Sequence, residues 1–160
     1  SHRKYSNQMV SRETIEKIID AGLYAPSGMG QQAVIILAIT NKALRDQLSE
    51  MNRKIGGWDF DPFYEAPVVL VVLADTTRPT YIYDGSLVMG NLMNAAHSLG
   101  VDSCWIHRAK EEFESEEGKA ILKKLGISGS YEGIGHCILG YALDTPDAAP
   151  RKPNRVVWVE

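Results

Sequence analysis

Three stretches of this 160-residue chain carry residue types that could do chemistry. "SHRKYS" (1–6) sets Arg3 and Lys4 beside hydroxyls, and "RKPNR" (151–155) brings Arg151, Lys152 and Arg155 together near the other end. Arginine offers a planar fork of donors and serine a single small one. The two ends, if they meet, would form a cationic pocket suited to a phosphate. On charge alone, two solvated tails are the plainer reading. "APSGMGQQ" (25–32) is the second stretch. Gly28 and Gly30 would let the backbone approach a flat ligand with no Cβ in the way. Ser27 offers a hydroxyl, and Gln31 and Gln32 offer amides that donate and accept, as a ring of alternating carbonyl and N–H groups requires. A helix C-cap followed by a turn would explain the same residues. The third stretch, "WIHR" (105–108), ends an apolar run. Strand ends are where ligands sit in layered sheets. A histidine there more often has a structural or backbone role than one as an acid or base.

Other chemistries find no support. His2, His97 and His136 have no metal-ligand spacing with carboxylates, so no metal site is expected. There is no G-x-S-x-G, P-loop or H-E-x-x-H. "GIGHCILG" has spaced glycines, but no helix follows as a dinucleotide fingerprint requires. Cys104 and Cys137 sit in apolar stretches and read as buried free thiols of a reduced compartment.

The elements that must position these residues alternate along the chain. Ser11 is a candidate N-cap for a helix over 11–24, with Ile15, Ile18, Ile19 and Leu23 on one face and Pro26 beyond its end. "VIILAIT" (34–40) and "VVLVVLA" (68–74) read as buried strands. Asn41 is expected to cap a helix carrying Leu44, Leu48 and Met51, and 56–67 reads as a loop. A long helix is expected over 84–99, with Leu87, Asn91, Asn94 and Ser98 on a face suited to a second subunit. A strand over 101–106, a helix over 113–125 and strands over 133–142 and 155–159 follow, the last two joined by an extended Pro-rich link. This order predicts one domain over 1–160 with an α+β or α/β layered sheet. The net charge of −3 offers no basic field for nucleic acid. No apolar run approaches the ~20 residues of a membrane span, and no signal-peptide pattern is present. A cytoplasmic protein is the expectation.

Taken in order, "SHRKY", "APSGMGQQ", "DPFYEAPVVLVV", "GNLMNAAHSLGVDSCWI", "ILGYA" and "PRKP…VVWV" resemble the FMN-dependent nitroreductase family over nearly the whole chain. The resemblance implies an α+β fold, a mixed β-sheet flanked by helices, and a homodimer with exchanged C-terminal strands. It implies FMN sites between the subunits. Ser1, Arg3, Arg151 and Lys152 would bind the phosphate, ribityl and pyrimidine parts, with Arg3 near the N1/O2 edge. Pro26, Ser27, Gly28 and Gly30 would come from the other subunit, Gln32 supporting their turn. The backbone N–H of His107 would meet flavin N5, with Arg108 beside it. His2, Met29 and Ile106 belong to the same cofactor-binding set. The implied activity is hydride transfer from NAD(P)H to nitroaromatics, quinones or similar acceptors, in ping-pong fashion and with no catalytic side chain. A flavin-binding or flavin-buffering protein without useful turnover, and a dimeric interaction protein with a degenerate site, are the alternatives. Residues 76–84 leave no room for a helical insertion over the flavin, so the site is expected to be open.

Overall fold

The structure, a computed structural model, describes residues 1–160. Its central sheet has the strands β1 (Val34–Ile39), β2 (Val68–Asp75), β3 (Asp102–Ile106) and β4 (Tyr131–Gly140), in the order β1-β2-β4-β3. Every pairing is antiparallel. The mixed sheet expected from the sequence is therefore not found within one chain. The predicted fifth strand, 155–159, is unpaired and exposed, with Trp158 84% accessible. A strand needs a neighbour to take up its N–H and C=O groups, and this tail reaches no edge of its own sheet.

β2 is apolar on both faces, and its alternation divides the core. Val68, Leu70, Val72 and Ala74 pack with α1 (Arg12–Leu23) and α3 (Tyr81–Ser98). Val69, Val71 and Leu73 pack with Leu48 and Met51 of α2 (Lys42–Gly56), Phe113 of α4 (Ala109–Glu114) and Ile121 of α5 (Glu116–Lys124). Each fully buried aliphatic side chain contributes about 1.5–3 kcal/mol of transfer free energy. Helices on both sides of the sheet follow from a strand with no polar face.

The helices start where the sequence predicts capping. Ser11 Oγ accepts from Thr14 N at 3.2 Å and Asn41 Oδ1 from Leu44 N at 2.9 Å. Three boundaries differ. α3 begins at Tyr81 rather than Asp84, and Asp84 is buried in its first turn. The helix expected over 113–125 is two helices beginning at Ala109. Ser115 breaks them, its hydroxyl donating to Glu112 O at 2.6 Å and accepting from Gly118 N at 3.0 Å. β4 starts earlier than expected and carries a bulge at Ile134, where Val72 pairs Gly135 and Leu73 pairs Gly133. A Cβ on Gly133 would lie 2.2 Å from Ala109 O, so this glycine admits the start of α4 against the sheet. Asn91, read as part of a subunit-facing surface, instead donates to Ala21 O at 3.0 Å, tying α3 to α1. In its N-terminal half α3 leaves apolar residues exposed, Ile82, Tyr83 and Leu87, while Asn94, His97 and Ser98 are exposed towards its end. No helix is long and apolar enough to cross a membrane. Cys104 and Cys137 are free and buried, and burial pushes the Cys137 thiol up to about 12.

Candidate functional site

The N-terminal segment reaches the end of β3. His2 N donates to Ser103 O at 3.2 Å, Tyr5 bridges Ala142, and Leu143 N donates to Lys4 O at 2.8 Å. The His2 imidazole lies 3.1 Å from Asp102 Oδ1 and 3.0 Å from Asp144 Oδ1, clamping the chain start between two carboxylates. The Arg3 backbone N–H, then the His2 ring, hold the Asp144 carboxyl below its ordinary range. The side chain of Arg3 makes no ion pair.

Arg3, Ile106, His107 and Arg108 line one cleft of about 300 Å³. The loop after α2 supplies another wall. Gly57, in the left-handed region at φ 68°, closes that helix and leads into Trp58, Phe60 and Tyr64, whose neighbouring rings stand 5.8 Å apart. Asp61 holds this loop by accepting from the Phe63 and Glu65 N–H groups, and Arg45 Nη2 reaches it at 2.5 Å. Arg108 is a non-glycine residue at φ 79°. Its guanidinium is drawn back to Glu111 Oε1 at 2.8 Å, which holds the Glu111 carboxyl below its usual range. Arg3 is therefore the cation left free to meet a ligand here.

The backbone around His107 supplies the other donors. No peptide bond is cis, and a trans peptide points its C=O and N–H in opposite directions. Ile106 O faces His136 Nδ1 at 3.4 Å, and His107 O accepts from Asn52 Nδ2 at 2.7 Å. Both carbonyls are turned inward, so the N–H groups of His107 and Arg108 are turned away from the core. Neither has an acceptor within the chain. The imidazole of His107 is exposed and bonds to nothing.

The 25–32 turn forms a separate surface. Pro26, Ser27, Gly30 and Gln32 line a cavity of about 460 Å³ with Leu23 and Tyr24, sharing no residue with the Arg3 cleft. Gly28 N donates to Asp84 Oδ1 at 3.0 Å, and Gln32 N to Ser27 Oγ at 3.0 Å. The contact of Gln32 within the turn is made by its backbone, not by its side-chain amide. A Cβ on Gly28 would lie 2.2 Å from Thr80 Oγ1, so this glycine admits α3. Met29, at φ 52°, is 82% exposed and Tyr24 81%. Ser1 lies at the exposed chain start, and Arg151 and Lys152 lie on the exposed tail, where Arg151 donates to Ala149 O. A single chain thus unites Arg3 with 106–108 but leaves the turn and the tail cations apart.

The sequence reading missed Asp84 as the anchor of the turn, and Asn52, Glu112 and His136 behind the cleft. The signal was polar residues at apolar-face positions. Asn52 follows Leu48 by one helical turn, and His136 interrupts an apolar strand.

Comparison with known proteins places the chain among relatives of one family. The model of the Nitroreductase family matches residues 1–141. A relative from Archaeoglobus fulgidus, provisionally named NADH dehydrogenase/NAD(P)H nitroreductase, is 31% identical over 152 residues, covering 92% of this chain and 83% of its own. A nitroreductase from Bacteroides fragilis, crystallised with bound FMN, superimposes with a TM-score of 0.91 at 25% identity, over 100% of this chain and 94% of its own. One from Desulfitobacterium hafniense, also with bound FMN, gives 0.89 at 26% identity, over 100% and 93%. The fold is shared with these structures, and the chain belongs to the nitroreductase family.

Proposed function

We propose that this protein is an FMN-dependent oxidoreductase that takes hydride from NAD(P)H and passes it to nitroaromatic, quinone or similar electron-poor acceptors. The observation that carries the reading is the donor set of the cleft: a guanidinium with no ion pair, Arg3, beside two outward N–H groups that have no acceptor. The N1, O2 and N5 edge of an oxidised flavin accepts hydrogen bonds only, so the residues present fit it. When bound, FMN supplies a site at N5 that takes up and releases hydride. The His107 N–H would orient that site, and Arg3 would stabilise the negative charge gained near N1 and O2. The aromatic wall of Trp58, Phe60 and Tyr64 excludes water from one side of the cleft.

The site is completed in a homodimer, each protomer being one FMN-binding unit over 1–160. Two copies related by a two-fold axis would place the 25–32 turn of each against the cleft of the other. Pro26, Ser27, Gly28, Met29 and Gly30 would then pack along the cofactor. The exposed apolar residues of α3, together with Leu23, Tyr24 and Met29, form the kind of surface that a second subunit covers. The outer edge of β1 is free to take the 155–159 segment of a second copy, bringing Ser1, Arg151 and Lys152 toward the phosphate. Residues 76–80 are a short turn, so the acceptor pocket stays open. NAD(P)H and acceptor would use it in turn, as ping-pong kinetics requires.

The test is a visible spectrum of the purified protein before and after anaerobic NADH or NADPH. A yellow protein that bleaches supports the reading. A colourless protein that cannot be loaded with FMN ends it. Bound flavin reduced no faster than free flavin would leave a flavin-binding protein without turnover.

A further inference from the structure

Behind the cleft, reaching its wall at Asn52, lies a polar cluster almost wholly closed to solvent. Glu112 and His136 are both 0% exposed and Asn52 is 1% exposed. Glu112 Oε2 stands 2.9 Å from His136 Nε2, and Glu112 Oε1 accepts from Asn52 Nδ2 at 2.7 Å. Three elements meet here: α2, α4 and β4. A buried charged or polar group costs several kcal/mol unless fully partnered, and apolar residues could fill the same space between Phe63 and the sheet. The side chains of the cluster make two external hydrogen bonds, and both go to carbonyls of the cleft strap, Ile106 O and His107 O.

We propose that Asn52, Glu112 and His136 are positioning residues for the cofactor, fixing the two peptide planes whose N–H groups face the cleft. The inference rests on the FMN reading above. Asn52 holds the peptide that carries the Arg108 N–H. His136 holds the peptide that carries the His107 N–H. Glu112 orients both side chains and touches neither peptide. Ile106 O can only accept, so His136 Nδ1 carries a proton towards it, and a second proton lies between Nε2 and Oε2. That count is met whichever atom holds the shared proton. Glu112→Gln can therefore keep both anchors, by donating to Nε2 while its oxygen accepts from Asn52. The left-handed Arg108 is strained backbone, and rigid anchoring on its N-terminal side keeps it in place.

The experiment compares the wild type with Asn52→Leu, Glu112→Gln and a control, Asn41→Ala. The control removes the N-cap of the same helix, far from the strap. The readouts are FMN dissociation constant, spectrum of the bound flavin, melting temperature, and hydrogen exchange of the His107 and Arg108 amides in the flavin-free protein. Asn52→Leu should weaken FMN binding about three- to tenfold, the equivalent of one lost well-placed hydrogen bond. It should also shift the flavin spectrum and speed exchange at 107 and 108. Glu112→Gln should stay within about twofold of wild type. Asn41→Ala should lower the melting temperature and leave FMN affinity, spectrum and strap exchange unchanged. If Asn52→Leu fails to fold, Asn52→Ala, which removes the same donor from His107 O without adding branched bulk, carries the same readouts. Wild-type FMN affinity and spectrum in a folded Asn52→Leu, or equal losses in the control, would overturn the proposal. A wild type that binds no FMN overturns the cofactor reading instead, and the exchange data then report on the strap alone.

Discussion

Residues 106–108 and residues 25–32 are both irregular, both carry non-glycine residues at positive φ, and both hold expected cofactor contacts. They are held in different ways. The strap is fastened from inside the same chain by Asn52 and His136, with Glu112 bracing both. The turn is fastened by one buried carboxylate, Asp84, and its own tip is exposed. The first region is thus arranged before any ligand or second subunit arrives. The second presents Met29 and Tyr24 to solvent, and only another surface can bury them. Under the proposed reading, pre-organisation would lie where hydride chemistry needs a fixed donor, and adaptability where two chains would meet.

Three changes would break or sharpen this contrast. The largest effect should come from Glu112→Ala. It leaves Asn52 and His136 buried beside an empty acceptor position, a loss of about 3–5 kcal/mol by analogy with broken buried pairs. For a chain of this size, that is a melting temperature lower by roughly 10 °C, measured by circular dichroism. A change of only a degree or two would mean that the cluster carries little of the fold. Gly28→Val should have a smaller effect on stability, about 1–3 kcal/mol from overpacking against Thr80. Its effect on FMN retention should exceed that, because it displaces the turn that would cap a second copy's cleft. Retained FMN at wild-type affinity would remove the turn from the site.

The smallest effect concerns acid. Burial raises the Asp61 carboxyl, but hydrogen bonds from Arg45, Ser49 and the Glu65 N–H outweigh it, so the group lies below its ordinary 3.8. A depressed carboxyl contributes stability that is present above the ordinary value and lost as pH falls through the lowered one. The Trp58–Tyr64 wall of the cleft should therefore loosen below about pH 4, seen as a shallow loss of stability and a change in Trp fluorescence. Asp61→Asn should be less stable at neutral pH and flatten that acid limb. An unchanged limb would show that other carboxylates govern it.

Much of this was legible in the sequence. Ser11 and Asn41 announced their helices, because capping is a local contact between residues three apart. The runs 34–40 and 68–74 announced buried strands. The set of short motifs announced the family. Other features were not legible. A strand that is apolar on both faces has no period, so neither its neighbours nor its direction could be read, and the antiparallel order came from the structure. The break at Ser115 looked like continuing helix, because the apolar stripe persists through it.

The amino-acid sequence by itself determined most of where the chain is helical or extended, since that is set by neighbours within a turn or two. Tertiary structure alone decided that Asn52, Glu112 and His136 form one cluster, that Asp84 holds Gly28, and that the 155–159 segment finds no partner in its own sheet. Hydrophobic periodicity encodes how deeply a residue is buried; it does not encode against what. The pairing of polar groups across distant segments is settled only when the layers close and each buried donor must find an acceptor.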